Sequence, residues 1–350
     1  MGTLWFCLVA LMLTVYVVLD GFDLGVGIVH LFVARNEDER QIVTRTIGPV
    51  WDGNEVWLIA AGGMLYFAFP TLYAASFSGF YLPLMIVLWL LILRGISLEF
   101  RRHVSAAMWA SFWDGVFFLA SLLLAVFYGV ALGNVVRGVH LDAQGQFFEA
   151  LWTNFRPSGA TGILDWYTIL IGIAALIALT VHGALWVALK TDGGIHERAR
   201  KCAARLWTPL VLLTILMTLS SFELQAHLAA SFAARPWGWI FPAIAIAGII
   251  GILVLLKLSG KDDAKPFYAS CVYLIGTLAS VAFGLYPEVL PASANPALSL
   301  TVENTKAADR GLKIGLAWWI IGIILAAIYS VIVYRRFSGK VALSQEEEGY

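Results

Sequence analysis

Long uninterrupted apolar runs constrain this chain more than any other feature. Examples are LWFCLVALMLTVYVVL (4–19), LPLMIVLWLLIL (82–93) and GLAWWIIGIILAAIYSVIVY (315–334). A hydrocarbon core of about 30 Å is crossed by roughly 20 such residues as a helix. Lipid offers no partner to a free N–H or C=O, so only helices and closed barrels span it. Barrel strands would be short and alternating, and these runs are neither. Composition agrees: 60% of the 350 residues are hydrophobic and 13% charged, against about half and a quarter in soluble domains. The fold class is therefore an all-α polytopic membrane protein.

Nine spans are expected, at 3–30, 50–69, 74–96, 112–134, 162–188, 204–229, 238–257, 267–290 and 313–335. The second is the most polar, opening on Pro49, Trp51, Asp52, Gly53, Asn54 and Glu55, and a re-entrant loop is the alternative there. The N-terminal run lacks a basic leader and an AxA-like site, so a retained first span is expected. With nine spans the loops alternate sides, and 17 of the 23 Lys and Arg fall on one side. By the positive-inside rule that side is cytoplasmic. The N terminus is then outside and the C terminus inside. A net charge of +0 gives no pull toward nucleic acid. Cys7, Cys202 and Cys271 are scattered without a CxxC, so neither a disulfide nor a zinc framework is expected.

Two segments place ionisable groups inside spans. In DGFDLGVG (20–27), Asp20 and Asp23 are three residues apart, on one helical face. Gly21 and Gly25 form a small-xxx-small pair for close helix approach. A carboxylate at membrane depth is costly and faces protein or water. Either a proton or ion path, or a packing motif whose acids are solvated at the interface, accounts for it. It is no dinucleotide fingerprint, because no strand precedes it and the third glycine is missing. In GPVWDGNEVW (48–57), Asp52 and Glu55 again share a face, between Trp51 and Trp57. A helix cap accounts for one acid, but not for two acids and Asn54. Four carboxylates on neighbouring spans suggest a hydrated acidic entry for protons. Arg94 and Glu99 close the third span; Arg94 either anchors that end or partners one of the acids.

The six histidines form no i, i+4 pair and no HExxH. Spacing does not exclude a single axial heme ligand, although a hydrogen-bonded histidine is the plainer reading. Spans one and five share a polar, glycine-bearing end followed by a mixed-charge loop. A four-span duplication and two unrelated helices with basic loops both produce this pattern.

At GFDLGVG (21–27) and GPVWDGNEVWL (48–58) the sequence resembles subunit II of the cytochrome bd quinol oxidase family. PTLYAASFSGFYLPL (70–84), LRGISLEFR (93–101) and HGALWVALKT (182–191) extend the resemblance over essentially the whole chain. It implies two four-helix bundles (1–136 and 160–290), a peripheral helix (312–336) and a cytoplasmic tail (337–350). It implies a bacterial inner-membrane complex that oxidises quinol and reduces dioxygen to water. Hemes b and d reside in the partner subunit I, with no cofactor bound directly by this chain. Some members hold a structural quinone in subunit II, and the complex leaves room for a small single-span accessory subunit. The family's proton pathway maps onto Asp23 and Asp52, with Asp20 and Glu55 beside them and Trp51, Asn54, Trp57, Arg94 and Glu99 in support. The alternative from another class is a secondary transporter using the same acids for coupling ions.

Overall fold

The computed structural model describes residues 1–157, 161–258, 260 and 262–341. Lys261 and residues 342–350 of the expected tail lie outside them. The long apolar runs form helices: α1 (Gly2–Val33), α3 (Trp51–Ala68), α4 (Pro70–Gly79), α5 (Tyr81–Phe100), α6 (Ala107–Arg137), α7 (Trp166–Lys190), α8 (Gly193–Leu224), α10 (Ile240–Leu258), α11 (Ala264–Leu285) and α13 (Asp309–Arg336). Short helices α2 (Glu37–Arg45), α9 (Ala226–Ala234) and α12 (Val302–Thr305) connect them, together with the antiparallel pair β1 (Glu288–Leu290) and β2 (Leu300–Thr301).

Among the described residues, eight helices are long and apolar enough to cross a membrane, and they match eight of the nine expected spans. The ninth, 50–69, corresponds to α3, which has 18 residues and carries Asp52, Asn54 and Glu55 in its first turns. The expected third span, 74–96, is not one helix. It breaks at Phe80, between α4 and α5. Pro83 has no N–H to give to the Gly79 carbonyl, and its ring crowds that turn. The sixth span begins earlier than expected, because HERARKCAAR continues α8 outward as a charged helical extension, and it ends at Leu224 rather than 229.

α1 lies at the centre and packs against α3, α6, α7 and α11. Its glycines decide how closely. A Cβ on Gly25 would stand 2.7 Å from the Gly183 Cα of α7, so the two backbones cross in contact. Gly21 faces Leu179 of the same helix, whereas Gly27 faces Ser121 of α6. One apolar core runs through both halves of the chain, from Phe22 and Val29 of α1 through Leu124 of α6 to Leu185 of α7 and Ile252 of α10. A second core gathers Trp5, Phe69, Leu72, Leu290 and Leu300 at the end where the chain begins. α13 is peripheral; no residue of its most apolar stretch is buried.

Candidate functional site

The two acidic segments meet where α1, α3 and α5 converge. Asp20 and Asp23 are both buried, but they turn to different neighbours. Asp20 faces α5, whose Arg94 is 1% exposed. Arg94 Nη1 donates to Asp20 Oδ2 at 2.8 Å, and Nη2 lies 2.7 Å from Oδ1, off the hydrogen-bonding line. Nη2 also reaches Glu55 Oε2 of α3 at 3.3 Å. Arg94 thus ties three helices through two carboxylates. Charge-assisted contacts of this kind are the strong class of hydrogen bond.

Asp23 faces α3 instead. Asn54 Nδ2 donates to Asp23 Oδ2 at 2.8 Å, while Asp23 Oδ1 is buried without a hydrogen-bond partner among the described residues. Asn54 Oδ1 accepts from the Tyr334 hydroxyl of α13 at 2.8 Å. Asp23 lies ten residues from the end of α1 at Val33, roughly 15 Å along the axis at 1.5 Å per residue.

The remaining expected residues fall outside this knot or at its edge. Asp52 is exposed, on the opposite face of α3 from Asn54. Trp51 covers Gly95, within 3.5 Å of where a Cβ would stand. Trp57 is half-buried against the core at the N-terminal end of α1. Glu99 is exposed and reaches Arg102 at 3.5 Å.

Other polar knots escaped the sequence reading. Tyr16 donates to the Tyr128 hydroxyl at 2.7 Å, one turn along α1 from Asp20. Asp114 is buried and binds Arg101 Nε at 2.6 Å and Arg40 Nη1 at 3.3 Å, with His30 Nε2 at 3.9 Å. Arg137 binds Glu149 at 2.8 Å and also pairs with Asp165. The Asp165–Thr168 capping box that opens α7 was a visible signal for this last one. An aspartate eight residues into a 31-residue apolar helix was the signal for Asp114.

The match to known proteins is extensive. Residues 1–337 match the family model of cytochrome bd terminal oxidase subunit II. The chain belongs to that family. It is 33% identical to the cytochrome bd ubiquinol oxidase subunit 2 of Bacillus subtilis over 89% of this chain and 88% of the relative. It is 30% identical to a probable cytochrome oxidase subunit 2 of Haemophilus influenzae, over 97% of this chain and 94% of the relative. The fold resembles that of the bd oxidase from Geobacillus thermodenitrificans, with a TM-score of 0.75, 18% identity and coverage of 96% and 98%. As a subunit II of this family, the chain is one component of a terminal oxidase embedded in a membrane by its apolar helices.

Proposed function

We propose that this chain serves a quinol:dioxygen oxidoreductase as its heme-free subunit, holding the heme-bearing subunit I in place and carrying protons toward the oxygen-reducing centre. Asp23 supports the proton role. Asp20 and Glu55 share the Arg94 guanidinium, whereas Asp23 meets only a neutral amide and keeps one oxygen unpaired. A carboxyl with no counter-charge takes up and releases a proton without breaking an ion pair. Asp52, exposed at the first turn of α3, is the entry from the basic, cytoplasmic face, and Glu55, which remains partly exposed, lies one turn further in. The Arg94 triad holds α1, α3 and α5 in register around them. This orientation sets the N terminus outside and the C terminus in the cytoplasm of a bacterial cell.

Redox chemistry belongs to subunit I. Of the two histidines fully buried in the spans, His182 does not fit an axial heme ligand, because both its ring nitrogens are engaged. His182 donates from Nε2 to the Val18 carbonyl at 2.9 Å and meets Ser270 Oγ through Nδ1 at 2.7 Å. His30 donates from Nδ1 to the Gly27 carbonyl, and its Nε2 lies 3.9 Å from Asp114, inside the ion-pair cluster of Asp114 with Arg101 and Arg40. The face offered to subunit I is a seam on α3. Asp52, Val56, Ile59, Gly63 and Tyr66 are all exposed, at the alternating spacing of four and three that suits a packing helix. A charged side chain facing lipid is costly, so Asp52 sits where a partner or water covers it. The secondary-transporter reading has no observation in its favour.

The test is Asp23→Asn in the assembled complex, with quinol-driven oxygen uptake expressed per heme. Turnover is expected to fall by the ~10²-fold or more that a proton-transfer group typically contributes, with heme content unchanged. Undiminished turnover at full heme content sinks the proton role.

A further inference from the structure

Asn54 of α3 also contacts the last helix, α13, through Tyr334. Asn54 is buried, at 2% exposure, and its carboxamide has two close neighbours, with the Leu19 carbonyl a longer third at 3.5 Å from Nδ2. Nδ2 donates to Asp23 Oδ2 at 2.8 Å, and Oδ1 accepts from the Tyr334 hydroxyl at 2.8 Å. An amide has one oxygen that only accepts and one NH₂ that only donates. The phenol donating into Oδ1 at 2.8 Å, helped by the longer contact of Nδ2 with the Leu19 carbonyl, therefore sets which end of the amide meets Asp23.

The phenol is itself held. The Tyr334 ring meets the Trp186 ring of α7 edge-on, with centroids 6.2 Å apart at 80°. One turn before it, Tyr329 closes over Gly53, 3.4 Å from where a Cβ would stand. The space left beside Asn54, lined by Val50, Gly53, Tyr329, Ser330 and Val333, is about 10 Å³. That is the lower limit for one water, so solvent has little room to replace the hydroxyl.

We propose that Tyr334 is a positioning residue for proton release from Asp23, acting through Asn54. This rests on the reading of Asp23 as a proton carrier. With the amide locked, its N–H₂ serves both the Asp23 carboxylate and the carbonyl oxygen of the protonated acid. With the amide turned over, Oδ1 faces Asp23 and accepts a bond only from the protonated acid. The locked orientation therefore lets the proton leave; the turned one retains it. α13, otherwise peripheral, thus reaches the route through one hydroxyl.

The experiment is Tyr334→Phe in the assembled complex, which keeps the ring and removes the hydroxyl. Turnover per heme should fall at least about tenfold, part of the 10²–10⁴ typical of proton transfer. The infrared carboxyl C=O band that disappears in D23N should shift in Y334F, because its hydrogen-bond partner is reoriented. In an Asn54→Leu background the same Tyr334→Phe change should have no further effect, since the two residues act as one unit. Unchanged turnover per heme with an unshifted band overturns the proposal. A complex that no longer assembles gives Tyr334 a structural role and overturns it equally. If D23N turns over at the wild-type rate, the Asp23 reading itself falls. If D23N is slow while Y334F is normal, only the role of Tyr334 falls.

Discussion

Asp20 and Asp23 show how far residue spacing carries an inference. Their three-residue spacing correctly places both on the side of α1 that faces protein, and both are buried. Spacing does not say which neighbour arrives at each. Arg94 comes to one and Asn54 to the other, a difference set by how α3 and α5 pack. Tyr334 was illegible for the same reason: it is one aromatic in an apolar run, and only folding brings it against Asn54. Arg94 gives the sharpest residue-level expectation. Arg94→Met leaves the Asp20 carboxylate buried without its partner, which typically costs 3–5 kcal/mol. The yield and melting temperature of the heme-bearing complex should drop. The double substitution R94M/D20N should recover much of the loss, because no charge is then stranded. A double mutant as poor as R94M alone would show that the guanidinium matters for more than Asp20.

At the scale of elements, the apolar runs made nearly every long helix legible. The misses have local causes: Pro83 divides α4 from α5, and charged residues extend α8. The short helix α2 was read only as a loop with cations. It is tied to α8 by Glu39, which takes Arg198 Nη2 at 2.6 Å and the Arg35 N–H at 2.6 Å. Slight burial works against ionisation, but the bonds and charges of Arg198 and Arg35 outweigh it and hold the Glu39 carboxyl below its ordinary range. A carboxyl depressed in the folded state stabilises above its unfolded value and loses that contribution as pH falls through the folded one. Amide-exchange protection of α2 should therefore be flat from neutral pH to about 4.3, the ordinary glutamate value, and decline below it. Glu39→Gln should reduce that acid-dependent decline.

For the whole molecule, the long apolar runs made the membrane class legible. The crossing of α1 with α7 at Gly25 and Gly183 was not, because glycines mark close approach without naming the partner. The α3 seam carries the prediction at this scale. Among the described residues, nothing beyond the neighbouring backbone of α3 lies within 4 Å of a Cβ placed on Gly62 or Gly63. Gly63→Val should therefore leave the fold of this chain intact while reducing the subunit I and heme that copurify with it. Full copurification would move the docking face elsewhere.

The distance in sequence between Asp20 and Arg94, 74 residues, has a consequence for biogenesis. At 5–20 residues per second, the ribosome makes the guanidinium about 4–15 s after the aspartate. α1 thus enters the bilayer with two carboxylates, each costing about 2.5–3.5 kcal/mol at a helix centre, before the Arg94 counter-charge exists. Chains arrested before residue 94 are therefore expected to hold their first helix against the translocon longer than chains arrested after it.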